Sequence, residues 1–158
     1  MPHQIGHDSF GFLVADLSRL IRAEFERHVN EAGLAVTAGE ARTLVHAARA
    51  GEVRQGVLAE RMGVEAMTLT GYLDRLEARG LIERRPDPCD RRAKLVGLTA
   101  ASEAMLEQIK TTAAGVHAEA SQNIAEADWD KLLDLLKVVR TNLEAARSTP
   151  DRKQGRAA

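Results

Sequence analysis

Residues 55–80, QGVLAERMGVEAMTLTGYLDRLEARG, constrain the fold more than any other stretch of the chain. A short helical run, QGVLAERM at 55–62, meets a Gly63-Val64 turn. A longer run, EAMTLTGYLDRLEAR at 65–79, then closes on Gly80, the residue type suited to the position just past a helix end. Leu69, Leu73 and Leu76 share one face of the longer helix, with Leu58 and Met62 as partners from the shorter. Two helices joined by a short glycine-containing turn form a helix-turn-helix.

The flanks add further helices and one hairpin. Phe10, Leu13, Val14, Leu17, Leu20, Ile21, Phe25 and Val29 recur at helical spacing, which predicts a long amphipathic helix over 9–31, ended near Gly33. Thr37-Ala-Gly-Glu40 has capping-box spacing: the threonine hydroxyl accepts the amide three residues on and the glutamate reaches back. A second helix therefore starts at Thr37 and runs to Ala50, before Gly51. Leu81–Arg85 and Lys94–Leu98 are strand candidates around the loop PDPCDRRA. Proline has no amide for a ladder, so Pro86 and Pro88 are expected outside the paired strands of a long-looped hairpin, a wing.

Thr99 is expected to cap a helix over 100–125 with Met105, Leu106, Ile109, Val116 and Ile124 on its inner side. Glu126 and Asp128 open a last helix, where carboxylates suit the helix dipole, and its stripe is Trp129, Leu132, Leu133, Leu136, Val139 and Leu143. The expected fold is mainly α with a small β-wing. A winged helix-turn-helix spans 36–99, a helical dimerisation domain is assembled from 8–35 and 100–147, and tails occupy 1–7 and 148–158. The C-terminal tail, STPDRKQGRAA, is expected to be disordered. The first helix and the last two carry apolar faces too large for the central module to cover, so they are expected to pack together and against a second copy. A monomeric bundle is the alternative.

Composition narrows the function classes. The chain has 158 residues, 3% aromatic, rich in Ala, Leu, Glu and Arg, a mix that favours helices over a β-sandwich. A single cysteine excludes an internal disulfide and any CxxC site. No apolar run reaches the roughly 18 residues of a membrane span, and MPHQIGHDSF lacks a signal-peptide layout, so a cytoplasmic protein is expected. The formal net charge of −1 hides an uneven distribution. Arg79–Lys94 holds six basic against three acidic residues, whereas Ala100–Ala146 holds four against eight. A basic patch on an acidic frame is the electrostatic footprint of a polyanion binder.

Reading a duplex requires an exposed helix that fits the major groove, cations for phosphates and a rigid geometry joining them. The helix from Glu65 offers Ala66, Met67, Thr68, Thr70 and Gly71 near its start, with hydroxyls for base edges or phosphates and methyl groups for thymine. Gly71 either lets the backbone approach DNA or is simply tolerated at an exposed position. Arg75, one turn on, reaches phosphate or lies on a solvated face. Arg91 and Arg92 on the hairpin suit a narrow minor groove or a phosphate fork, and Asp90 braces the turn by accepting loop amides. Gln55 and Lys94 complete the candidate double-stranded DNA contacts.

The segment GVLAERMGVEAMTLTGYLDRLEARGLIERRPDPCDRRAKLVGLT resembles the winged helix-turn-helix of the MarR (multiple antibiotic resistance regulator) family, particularly its SlyA-like members. LAERMGV, LDRLEARGLIERRPDP and DRRAKLVGLT carry the match, and VTAGEARTL resembles the start of the family's second helix. The resemblance implies a homodimeric DNA-binding regulator, a repressor by this reading, with terminal helices as the dimer interface and wings on flanking minor grooves. It places Met67, Thr68, Thr70 and Gly71 on the recognition helix, and Asp90 and Arg92 on the wing's Asp-Arg pair. Glu65, Gly71 and Ser102 depart from the family's frequent Ser, Arg and Gly.

The resemblance also implies release from DNA by a small aromatic or anionic effector, such as a phenolic compound, for which Arg22, His28 and His46 are candidate contacts. Cys89 in the wing is a candidate redox switch, with an incidental exposed thiol as the alternative. No cofactor or metal site is expected: His3 and His7 precede the first helix, and His28, His46 and His117 are isolated in sequence. Phosphate loop, nucleophile elbow and HExxH motifs are absent, so an enzyme is not expected. A winged-helix module that binds protein instead of DNA is the remaining alternative.

Overall fold

Glycines and caps set the punctuation of the chain. In the computed structural model, which describes residues 9–148, six helices and three strands run in the order α1 (Phe10–Glu31), α2 (Ala38–Ala50), β1 (Val53–Arg54), α3 (Gln55–Met62), α4 (Ala66–Ala78), β2 (Ile82–Pro86), β3 (Lys94–Leu98), α5 (Ser102–Ala120) and α6 (Glu126–Ser148). The capping box at α2 forms as expected, Thr37 Oγ1 accepting from the Glu40 amide at 3.3 Å and Glu40 Oε2 from the Thr37 amide at 3.0 Å. Both helices of the helix-turn-helix end on a left-handed glycine, Gly63 at φ 63° and Gly80 at φ 70°. In each case the amide after the glycine donates to a carbonyl one turn back, Val64 to Ala59 and Leu81 to Leu76.

The described residues fall into two compact units, one up to His117 and the other from Ala118. In the first, Leu44 of α2, Leu58 of α3, Leu69, Leu73 and Leu76 of α4, Val96 of β3 and Ile109 of α5 are almost completely buried in one cluster. Each such side chain contributes about 1.5–3 kcal/mol of burial, the main force holding α4 in place. The sheet is antiparallel in the order β1-β3-β2, with Val53 opposite Val96 and Arg84 opposite Val96 on the other side. In the second unit α6 buries no residue at all.

Five local expectations are corrected. The hairpin is a three-stranded sheet, because Val53–Arg54 pairs with β3, a strand too short to leave a periodic signal. Pro86 is the last residue of β2, paired with Lys94, at the end of an outer strand where no amide need be donated. Thr99 does not cap α5: its hydroxyl donates to the Gly80 carbonyl at 2.6 Å, and its own carbonyl accepts from the Ser102 amide and hydroxyl. The helix therefore starts at Ser102, and it stops at Ala120 before a turn containing Asn123 at φ 63°, which leaves Ile124 exposed outside it. Ser148, assigned to the tail, is the last residue of α6, while the rest of that tail, and His3 and His7, lie outside the described residues.

Candidate nucleic-acid interface

Burial of Leu69, Leu73 and Leu76 turns the opposite side of α4 outward. Met67 is 88% exposed, a large apolar side chain held in solvent by a fully anchored helix, and Thr68 is exposed beside it. A side chain added at Gly71 would meet only Arg75 Nη1, at 3.6 Å, so packing does not demand the glycine. Thr70 is more restrained than expected. Its hydroxyl accepts from Gln55 Nε2 and donates to the Ala66 carbonyl, each at 2.9 Å. Its only proton is committed to α4, and Gln55 ties the start of α3 to the start of α4.

Across from this surface stands the wing. A cleft of about 400 Å³, lined by Gln55, Gly56, Ala66, Leu69, Arg92 and Lys94 among others, separates the wing from the two helices. Three of the sequence-predicted residues, Gln55, Arg92 and Lys94, thus meet around one concavity. Arg91 and Arg92 are exposed, and among the described residues neither has a carboxylate within ion-pair distance. Every other arginine of the hairpin and its base has one. Arg84 binds Glu77 at 2.5 Å and Asp74 at 2.7 Å, Arg85 binds Glu52, and Arg54 binds Asp87 at 2.5 Å.

The wing is braced by two aspartates. Asp90 Oδ1 accepts the Arg92 amide at 3.0 Å, the turn-bracing geometry expected of it. Sequence reasoning missed Asp87, which is buried where Asp90 is exposed. Its Oδ1 accepts the Cys89 amide at 2.8 Å and its Oδ2 accepts Arg54 Nε. The Cys89 amide above all, helped by Arg54, holds the Asp87 carboxyl below the usual carboxylate range. Asp-Pro-Cys at a turn was the available signal, since aspartate often accepts the amide two residues on, but the partner Arg54 is 33 residues away. Cys89 itself is an exposed free thiol.

Arg75 projects from α4 onto a buried acid. Its Nε donates to Glu40 Oε1, and its guanidinium carbon lies 5.5 Å from the centre of the Tyr72 ring.

The candidate effector residues separate into two places. His28 packs against α5, where a side chain on Gly115 would approach its ring to 2.7 Å. Arg22 and His46 instead belong with Arg42, which sequence reasoning passed over. Arg42, His46 and Arg49 are spaced to share a face of α2, and Arg42 donates to the Met62 carbonyl at 3.3 Å. Burial, then repulsion from Arg42, Arg49 and Arg61, pushes the His46 imidazole below its ordinary value. Burial, then Arg22, lowers Arg42 in the same way. This is a cationic cluster, and among the described residues none of Arg22, Arg42, Arg49 and Arg61 has a carboxylate partner.

The comparisons with known proteins agree with this architecture. The MarR family profile matches residues 36–94. A solved transcriptional regulator, PA3341, is 35% identical, with 87% of this chain and 99% of that one covered at a TM-score of 0.69. Apo MarR from E. coli is 27% identical, with 83% and 96% covered and a TM-score of 0.70. CouR from Rhodococcus jostii RHA1, solved with p-coumaroyl-CoA, is 24% identical over 84% and 91% at a TM-score of 0.65, and shares the fold. With a helix-turn-helix, a braced cationic wing and relatives matched over nearly their whole length, the chain belongs to the MarR family of transcriptional regulators.

Proposed function

We propose that the protein is a homodimeric, sequence-specific binder of double-stranded DNA, a repressor of the SlyA-like branch, released from its operator by a small anionic effector. One observation carries the DNA reading: the exposed start of α4 stands beside a rigid wing whose Arg91 and Arg92 alone among the hairpin arginines lack carboxylate partners among the described residues. An unpaired guanidinium on a braced loop suits phosphate or a narrow minor groove, and Met67, Thr68 and the Gly71 backbone suit base edges. The SlyA-like assignment rests on LDRLEARGLIERRPDP.

Homodimerisation is supported by apolar side chains left in solvent in both units: Phe10, Leu13, Leu17, Leu20 and Ile21 of α1, and Leu132, Leu135, Leu136 and Leu143 of α6. Terminal segments 8–35 and 100–147 serve as the dimerisation domain and 36–99 as the DNA-binding domain in this reading. The effector reading is supported by the cluster of Arg22, Arg42, His46, Arg49 and Arg61, whose arginines have no carboxylate partner among the described residues, and by the anionic thioester held by CouR, a protein of the same fold.

Selection of bound fragments from random duplex DNA, followed by affinity measurements across salt, tests the proposal. Binding weakens as salt rises, and Arg91→Ala with Arg92→Ala weakens it for every duplex while flattening the log–log slope by about 2, near 0.9 for each phosphate that is no longer neutralised. Undiminished binding by the double variant sinks the wing assignment. Phenolic acids that release the selected duplex identify the effector class.

A further inference from the structure

The Glu40 carboxylate is shared between two helices. It is 1% exposed, and its two oxygens face different partners. Oε2 accepts the Thr37 amide and closes the cap of α2, while Oε1 accepts Arg75 Nε of α4. Two further contacts repeat the link. The Tyr72 ring of α4 lies well within van der Waals range of where a side chain on Gly39 would stand, so only glycine there admits the ring. One turn beyond Arg75, Arg79 donates to the Ala35 carbonyl just before α2. Tyr72 and Arg75 of α4, and Arg79 just past its end, thus form three successive rungs on one side, each seated on the segment 35–40.

We propose that Glu40 is a positioning residue for DNA reading: through Arg75 it fixes the rotation of the recognition helix about its axis and withholds that arginine from phosphate. The apolar contacts of Leu69, Leu73 and Leu76 hold α4 against the core through an attraction that has no direction of its own. An ion pair with a fixed fork does have direction. The carboxylate is charged at neutral pH: burial works to raise its pKa, but the Arg75 hydrogen bond, the Thr37 amide and the neighbouring Arg75 and Arg79 charges together bring it below its ordinary value. Arg75 is 53% exposed, so a phosphate contact is the competing role, and the two roles predict different salt behaviour.

The inference rests on the DNA-binding reading, so its test includes a readout that needs no DNA. Glu40→Gln keeps an oxygen for the Thr37 amide but removes the charge facing Arg75, and Arg75→Lys keeps the charge but loses the fork. In DNA-free protein, hydrogen exchange of the α4 amides rises in both variants while that of α2 is unchanged. With duplex, the preference for a selected sequence over a scrambled one falls on the order of tenfold in both, with a salt slope no smaller than that of the wild type. Unchanged α4 exchange in both variants overturns the brace. So does Arg75→Ala weakening both duplexes equally with a slope smaller by about 0.9, because Arg75 is then a phosphate ligand. A wild-type protein that prefers no duplex sinks the DNA reading instead, and the exchange experiment still decides whether Glu40 holds α4.

Discussion

Helices α4 and α6 are both amphipathic, yet they end in opposite situations. The 13-residue α4 buries Leu69, Leu73 and Leu76 almost completely, whereas the 23-residue α6 buries nothing and leaves Leu132, Leu135, Leu136 and Leu143 in solvent. Periodicity states that a face avoids water. It does not state what covers that face. For α4 the cover is the chain itself, through α2, α3 and β3, and the result is a helix held rigidly enough to present Met67 outward. For α6 the cover is, in the proposed dimer, a second copy.

Four experiments break or sharpen this contrast. The largest effect is expected at the centre of the core, where Leu73→Ala leaves a cavity among fully buried neighbours and lowers unfolding free energy by about 2–5 kcal/mol in denaturant titration. A loss comparable to that of an exposed leucine would mean that α4 is not anchored as described. Leu132→Glu with Leu136→Glu on α6 is expected to shift the sedimentation coefficient from dimer to monomer, since two carboxylates cannot be buried unpaired between copies. A variant that sediments like wild type removes α6 from the interface.

Next in size is the response to acid. Glu40, Glu77 and Asp87 all have carboxyls held below their ordinary values. Groups depressed in the folded state stabilise it fully above their unfolded pKa, about 4, and lose that contribution as pH falls through the lower folded values. The unfolding temperature is therefore expected to fall slightly between neutral pH and about 5, as the depressed His46 loses its contribution below its ordinary value of about 6.5, and to drop steeply below about 4 as the carboxylates lose theirs. Glu40→Gln makes that drop shallower, whereas an equally steep fall would place the acid sensitivity elsewhere. The smallest effect is expected from Thr70→Val. It breaks the Gln55 bond and removes a hydroxyl already bound to Ala66, so overall affinity changes by a few-fold at most and sequence preference at one or two positions shifts. A large uniform loss would show that Gln55 and Thr70 hold the two helices together.

The parts of the site legible in advance were those carried by local chemistry. The exposed face of α4 follows from its leucine spacing, and the Asp90 turn from the preference of aspartate for the amide two residues on. The capping box at Thr37 and Glu40 is local too, and the sequence shows it as plainly as the structure does. Half of Glu40 was invisible, however: its second oxygen belongs to Arg75, 35 residues away. Asp87 hid its partner Arg54 for the same reason, and the cluster around Arg42 needed α1, α2 and α3 assembled before its lack of carboxylate partners among the described residues had meaning.

By itself, then, the sequence determined where the first four helices begin and end, which faces shun water, and that a stiff cationic hairpin follows a helix-turn-helix. Those features depend on backbone conformation, hydrogen bonds within a few residues and apolar periodicity, all encoded at short range. Tertiary structure alone decided which arginines keep a free charge. Arg75, Arg84, Arg85, Arg91 and Arg92 are alike in sequence, but the first three meet carboxylates and, among the described residues, the last two do not. The physical reason is the short reach of an ion pair, a few ångströms in space between groups that can stand tens of residues apart along the chain.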